Sequence, residues 1–287
     1  MAAVVCPGKS NMHSAMVEQT VIGMGLPFKR FFKNELLTEF KQWLTEQRPD
    51  LVLVFGCGYK IPSDLFTIPK FGFYNIHFSL LPAYRGRNPV FWQLKNGEAG
   101  GGITIHQMTE EYDAGPILIQ HETAIFPGET HGLYSGRLSL ETVAIIDKVI
   151  QKLEKNASDM LTIQDQQAAS EAPTPGLDDL KINWETQSAK QIENLVNAAN
   201  PDYGGAITSL RKQAMRILEV NPAEIGDPGE TAPGTIVYAD TNYGVFVACI
   251  NKQFLRLNVV HSPEGILSGF KMAAVGIKAG ERFESNF

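Results

Sequence analysis

Cysteine is scarce in this sequence, and so are the patterns that use it. Cys6, Cys57 and Cys249 are odd in number, lie far apart and form no CxxC pair. Such a set argues against a disulfide framework and against a thiolate zinc site. No metal is expected elsewhere either, because the remaining histidines show no metal-ligand spacing with acidic residues. A reducing, cytoplasmic location is expected.

Long apolar runs and an excess of positive charge are missing too. No run approaches the roughly 20 residues that a membrane helix needs, and the N-terminus shows no secretory signal pattern. The net charge is −6, so attraction of the whole molecule to DNA is not expected, although a local basic patch stays possible. These absences predict no membrane and no DNA partner.

Short apolar runs alternate with helical patterns in the first half of the chain. This alternation predicts an α/β fold, with a Rossmann-like, mainly parallel sheet and helices on both faces. The predicted strands are Ala2–Cys6, Leu51–Phe55, Gly72–His77, Gly102–Gln107 and Gly115–Glu122. The predicted helices are Asn34–Gln47, with Leu36, Leu37, Phe40 and Leu44 on one face, and Thr130–Lys155, with Leu138, Val143, Ile146 and Val149 in the core.

The pattern breaks in a polar, proline-bearing stretch, which predicts a linker over residues 164–179 between domains 1–163 and 180–287. Beyond it, Ser188 is expected to cap a helix that ends before Asn200-Pro201. The short runs that follow predict a small OB-like β-barrel or a sandwich. These runs are Ala206–Leu210, Ala214–Val220, Gly234–Tyr238, Gly244–Ile250 and Phe254–Val260.

Three polar residues stand where the predicted strands end. Asn75 and His77 are two positions apart on one strand, so their side chains point to the same side of the sheet. Asp113 follows the next predicted strand, which carries His106; this histidine either reaches the site or packs in a supporting position. If the two strands are neighbours, an amide, an imidazole and a carboxylate meet at one sheet edge.

These residues carry a resemblance to a known family. Asn75–Pro82, Ala83–Pro89, and Ile103–Met108 leading into Asp113-Ala114-Gly115 resemble the folate-dependent formyltransferases, including the methionyl-tRNA and amino-sugar enzymes. The resemblance implies formyl transfer from 10-formyltetrahydrofolate, a co-substrate of one-carbon metabolism, to a primary amine. It also identifies residues 1–163 as the catalytic domain and 180–287 as the OB-like C-terminal domain.

Catalytic roles follow from that resemblance. Asn75 is expected to donate to the formyl oxygen, His77 to stabilise the oxyanion, and Asp113 to orient His77 and take a proton from the amine. Asp113 is expected to raise the pKa of His77 and favour its cation. The residues expected to bind the folate are Phe55, Gly56, Cys57, Gly58, Tyr59, Ile61, Tyr112 and Gly115.

The acceptor is left open between two classes. Ser79, Arg85 and Arg87 are candidate substrate-binding residues, although turn bonding explains Ser79 and surface charge explains the arginines equally well. Residues 180–287 hold ten Lys and Arg against eleven Asp and Glu, which favours a small-molecule amine such as an amino sugar over initiator methionyl-tRNA. A 10-formyltetrahydrofolate hydrolase and a non-catalytic folate-binding protein are the alternatives.

Two departures from the family pattern accompany the resemblance. Family members begin with a strand and a helix ahead of the equivalent of Ala2–Cys6, and this sequence has no room for them. The methionyl-tRNA enzymes carry a long basic loop after that strand, whereas residues 8–13 are short and contain one lysine. Reduced activity and a non-tRNA acceptor are the expectations that follow.

Overall fold

The structure is a computed structural model that describes residues 4–7, 12–155 and 161–285, with side chains described from Ser14 onward. Most of the predicted 8–13 loop lies outside the described residues. Contacts between Cα atoms divide the chain into two compact units. The first unit comprises residues 1–85, 103–121 and 144–170, and the second comprises residues 86–102, 122–143 and 171–287. The predicted domain boundaries at residues 163, 179 and 180 stay a prediction.

The first half of the chain alternates strands and helices, as its sequence pattern predicts. The strands are β1 (Val4–Pro7), β2 (Phe28–Phe31), β3 (Val52–Phe55), β4 (Phe73–His77), β5 (Gly100–Gln107) and β6 (Ile117–Ala124). The helices are α1 (Met12–Gly23), α2 (Lys41–Gln47), α3 (Pro89–Asn96) and α4 (His131–Glu154). The α/β class is therefore confirmed.

These strands form two small sheets with mixed strand directions. β1 pairs with β2 in parallel, and β3, β4, β5 and β6 follow one another in a four-stranded sheet. β3 and β4 are parallel, whereas β4 and β5 are antiparallel, with Asn75 opposite His106 and His77 opposite Thr104. The antiparallel step matters for the site because it places the end of β5 beside the start of β4.

Two predicted core patterns need correction. The helical run before α2 begins as a 3-10 turn at Lys33–Glu35 and a π turn at Leu36–Phe40, so its register differs from that of one straight α-helix. Leu36, Phe40 and Leu44 are buried together, but Leu37 is 51% exposed. In α4 the predicted core residue Val143 is 73% exposed and Ile145 is buried instead, since only one face of this long helix is covered.

The second unit includes α3 and part of α4, and its portion after residue 171 contains two further helices and antiparallel strands within the described residues. The helices are α5 (Ala189–Ala199) and α6 (Gly269–Ala274). The strands are β7 (Ala206–Leu210), β8 (Gln213–Ala223), β9 (Ile236–Asp240), β10 (Gly244–Ala248), β11 (Phe254–Ser262), β12 (Gly265–Ser268) and β13 (Phe283–Glu284). Ser188 caps α5 as predicted, since its hydroxyl accepts from the Gln191 amide while the Gln191 side chain accepts from the Ser188 amide.

The strands of this unit form one curled antiparallel sheet in the order β13-β7-β8-β11-β10-β9, with β12 beside β11. An isolated bridge between Thr235 and Arg282 joins the two ends of that order. Trp184 is fully buried inside, stacks on Phe283 at 5.3 Å and donates to the Thr208 hydroxyl at 2.9 Å. The predicted OB-like C-terminal sheet is thus present.

Candidate active site

The candidate site is built on the antiparallel pair of β4 and β5. Asn75 and His106 are directly opposite each other, as are His77 and Thr104, and residues opposite each other in such a pair share a face of the sheet. His77 is 5% exposed and His106 is 2% exposed. An amide and two imidazoles therefore lie side by side, and both imidazoles are almost completely buried.

Asp113 completes the cluster from the loop that follows β5. Its Oδ1 accepts a hydrogen bond from Asn75 Nδ2 at 3.1 Å and lies 3.3 Å from His106 Nε2. Its Oδ2 lies 3.6 Å from His77 Nδ1, and only 10% of the side chain is exposed. The structure therefore brings together the three residues that the sequence pattern singles out, with His106 as a fourth member.

The ionisation of His77 differs from the sequence-based expectation. Burial lowers the pKa of His77 below its ordinary value, and the opposing effects of Asp113 and the Tyr84 carbonyl do not offset it. The neighbouring His106 lowers the pKa slightly further. Asp113 therefore acts in the expected direction, but the effect of burial on the pKa is larger. His77 Nε2 donates to the Tyr84 carbonyl at 2.8 Å, and Nδ1 lies 3.6 Å from Asp113 Oδ2.

The loop after β3 begins next to this cluster. Val54 pairs with Asn75 and Phe55 pairs with Ile76, so the segment that starts at Phe55 leaves the sheet beside the catalytic candidates. The Phe55 ring is 56% exposed. Gly56 has a φ of 61°, a conformation in which glycine is unstrained.

The other predicted folate-binding residues line or support the same segment. Tyr112 is 65% exposed, and Lys60 Nζ lies 5.6 Å from the centre of its ring. Tyr59 and Ile61 pack against the buried cluster around Leu65, so Ile61 faces the core. The exposed Cys57 thiol contacts the Tyr59 carbonyl, and Gly58 has open space where a Cβ would stand.

Gly115 lies at the end of the Asp113 loop, where there is no room for a side chain. A Cβ at this position would collide with the Gln107 carbonyl oxygen. The loop therefore returns tightly onto the end of β5. This close approach helps to fix the direction in which Asp113 leaves the backbone.

The predicted substrate-binding residues lie in different surroundings. Ser79 is fully buried and donates to the Ala83 carbonyl at 2.6 Å, as expected of a turn residue. The Arg85 guanidinium donates to side-chain oxygens of Gln164 and Gln166, while Arg87 is exposed. The substrate-binding roles of all three stay a prediction.

Two supporting residues were not identified from the sequence. Thr104 is fully buried and donates to the Ser79 carbonyl at 2.6 Å while accepting from the Leu81 amide at 3.1 Å, which pins the loop after β4. Gln164 lies in the predicted linker, yet it is 4% exposed and bonds to the Asp113 loop. The antiparallel register would have pointed to Thr104, but composition alone offered no signal for Gln164.

The described residues contain neither a candidate metal site nor a helix that could span a membrane. Across residues 4–7, 12–155 and 161–285, no group of three or more His, Cys, Asp or Glu side chains could hold a metal ion. In the same part of the chain, every helix is too short or too polar to cross a membrane.

Comparison with protein families identifies both halves of the chain. Residues 3–150 match the family described as formyl transferase, and residues 177–269 match the formyl transferase C-terminal domain. The methionyl-tRNA formyltransferase of Aromatoleum aromaticum is 33% identical over 239 residues, which is 83% of this chain and 73% of the relative. The methionyl-tRNA formyltransferase of Thermodesulfovibrio yellowstonii is 31% identical over 256 residues, covering 89% of this chain and 79% of the relative.

Solved structures share the fold at low sequence identity. HypX from Aquifex aeolicus, in complex with tetrahydrofolic acid, superposes with a TM-score of 0.69 at 16% identity and covers 97% of this chain. This chain spans 48% of that HypX chain. WlaRD, a sugar 3N-formyl transferase, has a TM-score of 0.57 at 20% identity and covers 89% of this chain and 96% of its own.

Proposed function

Because this chain belongs to the formyl transferase family, we propose that it transfers a formyl group from 10-formyltetrahydrofolate to a primary amine. The observation that carries the proposal is the convergence of Asn75, His77 and Asp113. A buried carboxylate, an amide donor and an imidazole at 3.1–3.6 Å supply a proton acceptor and a group that can stabilise developing negative charge.

The residues around the cluster suit a folate. The exposed rings of Phe55 and Tyr112 offer flat apolar surfaces to a pterin, and Gly56 and Gly58 leave their backbone open to close approach. The folate co-substrate supplies the activated formyl group. The neutral amine forms a bond to the formyl carbon, the bond from that carbon to the folate nitrogen breaks, and one proton passes from the amine to the departing nitrogen.

Asp113 takes one proton from the incoming ammonium, which leaves the neutral amine as the nucleophile, and this proton is released to water after the transfer. Its carboxylate is held by Asn75 and faces His77 Nδ1, the ring nitrogen that does not donate to the Tyr84 carbonyl. A proton that moves on to Nδ1 makes His77 cationic as negative charge develops on the formyl oxygen. Asn75 Nδ2 donates one of its two N–H groups to Asp113 in this structure, and the proposed mechanism assigns the other to the formyl oxygen.

Two acceptor classes are each supported by specific observations. Methionyl-tRNA is supported by relatives of that name, which are 31–33% identical, and by the matching C-terminal domain. An amino sugar is supported by the near-neutral charge of residues 180–287, because binding to a phosphate backbone depends on cationic surface. The catalytic cluster suits either class, since both present a primary amine.

The test is release of tetrahydrofolate from 10-formyltetrahydrofolate in the presence of charged initiator tRNA or of nucleotide-linked amino sugars. We expect release only with an acceptor, and a loss of about a hundredfold or more in kcat for Asn75→Ala and His77→Ala. His261→Ala removes an exposed histidine of the second unit and serves as the control.

The outcomes separate the alternatives. Release without any acceptor would identify a hydrolase, and binding of the folate without turnover would identify a binding protein. A folded His77→Ala variant with a normal rate would overturn the proposed mechanism.

A further inference from the structure

Gln164 makes four hydrogen bonds in a buried position beside the catalytic cluster. Its Nε2 donates to the Asp113 carbonyl at 2.8 Å and to the Gly115 carbonyl at 2.7 Å. Its Oε1 accepts from Arg85 Nη2 at 2.6 Å and from Arg85 Nε at 3.1 Å. One amide side chain therefore uses both donors and its acceptor, and it joins two loops.

The two carbonyls belong to the turn that aims the Asp113 carboxylate. Asp113 has a φ of 51°, a left-handed conformation that is unfavourable for most residues but that aspartate adopts more readily than most. Two donors from one side chain hold this turn on both sides of Ala114. Without these two donors, the Asp113 and Gly115 carbonyls lose their hydrogen bonds to Gln164, and Asp113 can relax toward a negative φ.

The other end of Gln164 reaches the loop that holds His77. Arg85 follows Tyr84, whose carbonyl accepts from His77 Nε2. The same region of the chain bonds to this loop again, because the Tyr84 amide donates to the Ser170 hydroxyl at 2.9 Å and the Arg85 amide donates to the Ser170 carbonyl at 2.8 Å. Gln164 and Ser170 thus support the backbone on both sides of the His77–Asp113 pair.

We infer that Gln164 is a positioning residue that couples the Asp113 loop to the Tyr84–Arg85 loop and so sets the distance between the Asp113 carboxylate and the His77 ring. The catalytic part of this inference rests on the proposed function. The sequence pattern assigns residues 164–179 to a linker, but Gln164 acts here as part of the site's support.

Two matched variants test the coupling. Gln164→Met keeps the length of the side chain and removes its donors and acceptor. Gln166→Met makes the same exchange at an exposed position that bonds Arg85 Nη1 at 2.8 Å but is not bonded to the Asp113 loop. We expect kcat to fall by about ten- to a hundredfold for Gln164→Met, the scale of a misplacement near 1 Å, and by less than about twofold for Gln166→Met.

A titration of the His77 imidazole by NMR gives a readout that does not need turnover. Asp113 raises the pKa of His77, so a carboxylate that moves away lowers it further. We expect this downward movement in Gln164→Met and not in Gln166→Met. A structural role without coupling would lower the melting temperature and leave the His77 titration unchanged, which would overturn the inference.

The inference can be tested even if one variant does not fold or if the proposed function fails. If Gln164→Met does not fold, Gln164→Glu carries the comparison, because it keeps the oxygen that pairs with Arg85 and replaces the donor with an oxygen facing two carbonyls. Its kcat is expected to fall at least tenfold, and a wild-type rate would overturn the coupling. If the wild-type chain transfers no formyl group to any acceptor, the proposed function fails, whereas the NMR titration of Gln164→Met still decides the coupling.

Discussion

The substitution Asp113→Asn isolates the charge at the centre of the proposed mechanism. An asparagine oxygen at this position still accepts from Asn75 Nδ2, whose present distance to Oδ1 is 3.1 Å, so the amide partner is retained. What disappears is the negative charge 3.6 Å from His77 Nδ1 and the capacity to accept the amine proton. The variant therefore separates charge and proton transfer from packing.

The expected size of the effect follows from that distance. Two unit charges about 4 Å apart interact by about 4 kcal/mol at an effective dielectric constant near 20. Each 1.36 kcal/mol of barrier corresponds to about tenfold in rate, so losing the attraction to a His77 that becomes cationic costs about a thousandfold. Loss of a general base alone costs about 100- to 10,000-fold, which covers the same value. We therefore expect kcat to fall by about a thousandfold.

The assay is tetrahydrofolate release under saturating acceptor, measured from low to high pH. Asp113 raises the pKa of His77 against the effect of burial, so the variant lowers that pKa further and moves any activity limb that belongs to His77 to lower pH. Asp202→Asn is the matched control, because it removes a carboxylate beside another histidine, His131, in the second unit. A folded Asp113→Asn variant within about tenfold of the wild-type rate would refute the role given to the carboxylate.

Three further outcomes concern stability, each measured by urea unfolding. Trp184→Ala should lower the free energy of unfolding by about 3–5 kcal/mol because a fully buried side chain is removed. Trp184→Phe should lower it less, mainly through loss of the hydrogen bond to Thr208. Equal losses in the two variants would contradict this. Ser188→Ala should lose about 1 kcal/mol through the missing cap, and no loss would contradict the capping role. Burial lowers the pKa of His131 below its ordinary 6.5 despite Asp202, so the unfolded chain binds the proton more readily. The unfolding free energy should therefore fall as pH drops below about 6.5. His131→Asn should make this fall shallower. A pH dependence in His131→Asn equal to that of the wild type would contradict the prediction.

The shared orientation of Asn75 and His77 could be predicted because side chains two apart on a strand share a face. The approach of Asp113 was predicted only on the condition that two strands are neighbours, and in the structure these strands, β4 and β5, pair antiparallel. The contact of His106 with the same carboxylate depends on the register between β4 and β5. Register is set by pairing between distant segments, so the sequence alone did not decide whether His106 lies in the core or in the site.

Gln164 shows why composition can mislead about a segment's role. A polar, small and proline-bearing run is typical of a linker, and such a pattern reports only that the segment does not form a regular element. It does not report which backbone groups of distant loops need partners. The Asp113 and Gly115 carbonyls bond to Gln164, a requirement that arises only after the loop has folded.

The protonation of His77 depends on a balance that the sequence does not contain. A neighbouring carboxylate was expected to favour the imidazolium, and Asp113 does act in that direction. Burial acts against it and dominates, because the ring is almost fully removed from water. In the proposed mechanism His77 starts neutral and receives at Nδ1 the proton that Asp113 takes from the ammonium. The cation that stabilises the developing charge then forms during the reaction.

Acceptor choice must then come from surfaces outside the cluster. In the proposed mechanism, the groups at Asn75, His77 and Asp113 act on the reacting nitrogen and the formyl oxygen, which are the same for an amino sugar and for methionyl-tRNA. Discrimination requires contacts to the rest of the acceptor, and for tRNA those contacts are cationic and weaken steeply with salt. With ten basic and eleven acidic residues, residues 180–287 lack the charge excess for such binding, so any tRNA affinity has to come from a local basic patch. Under the proposed function, tRNA as the acceptor therefore requires such a patch, whereas an amino sugar does not.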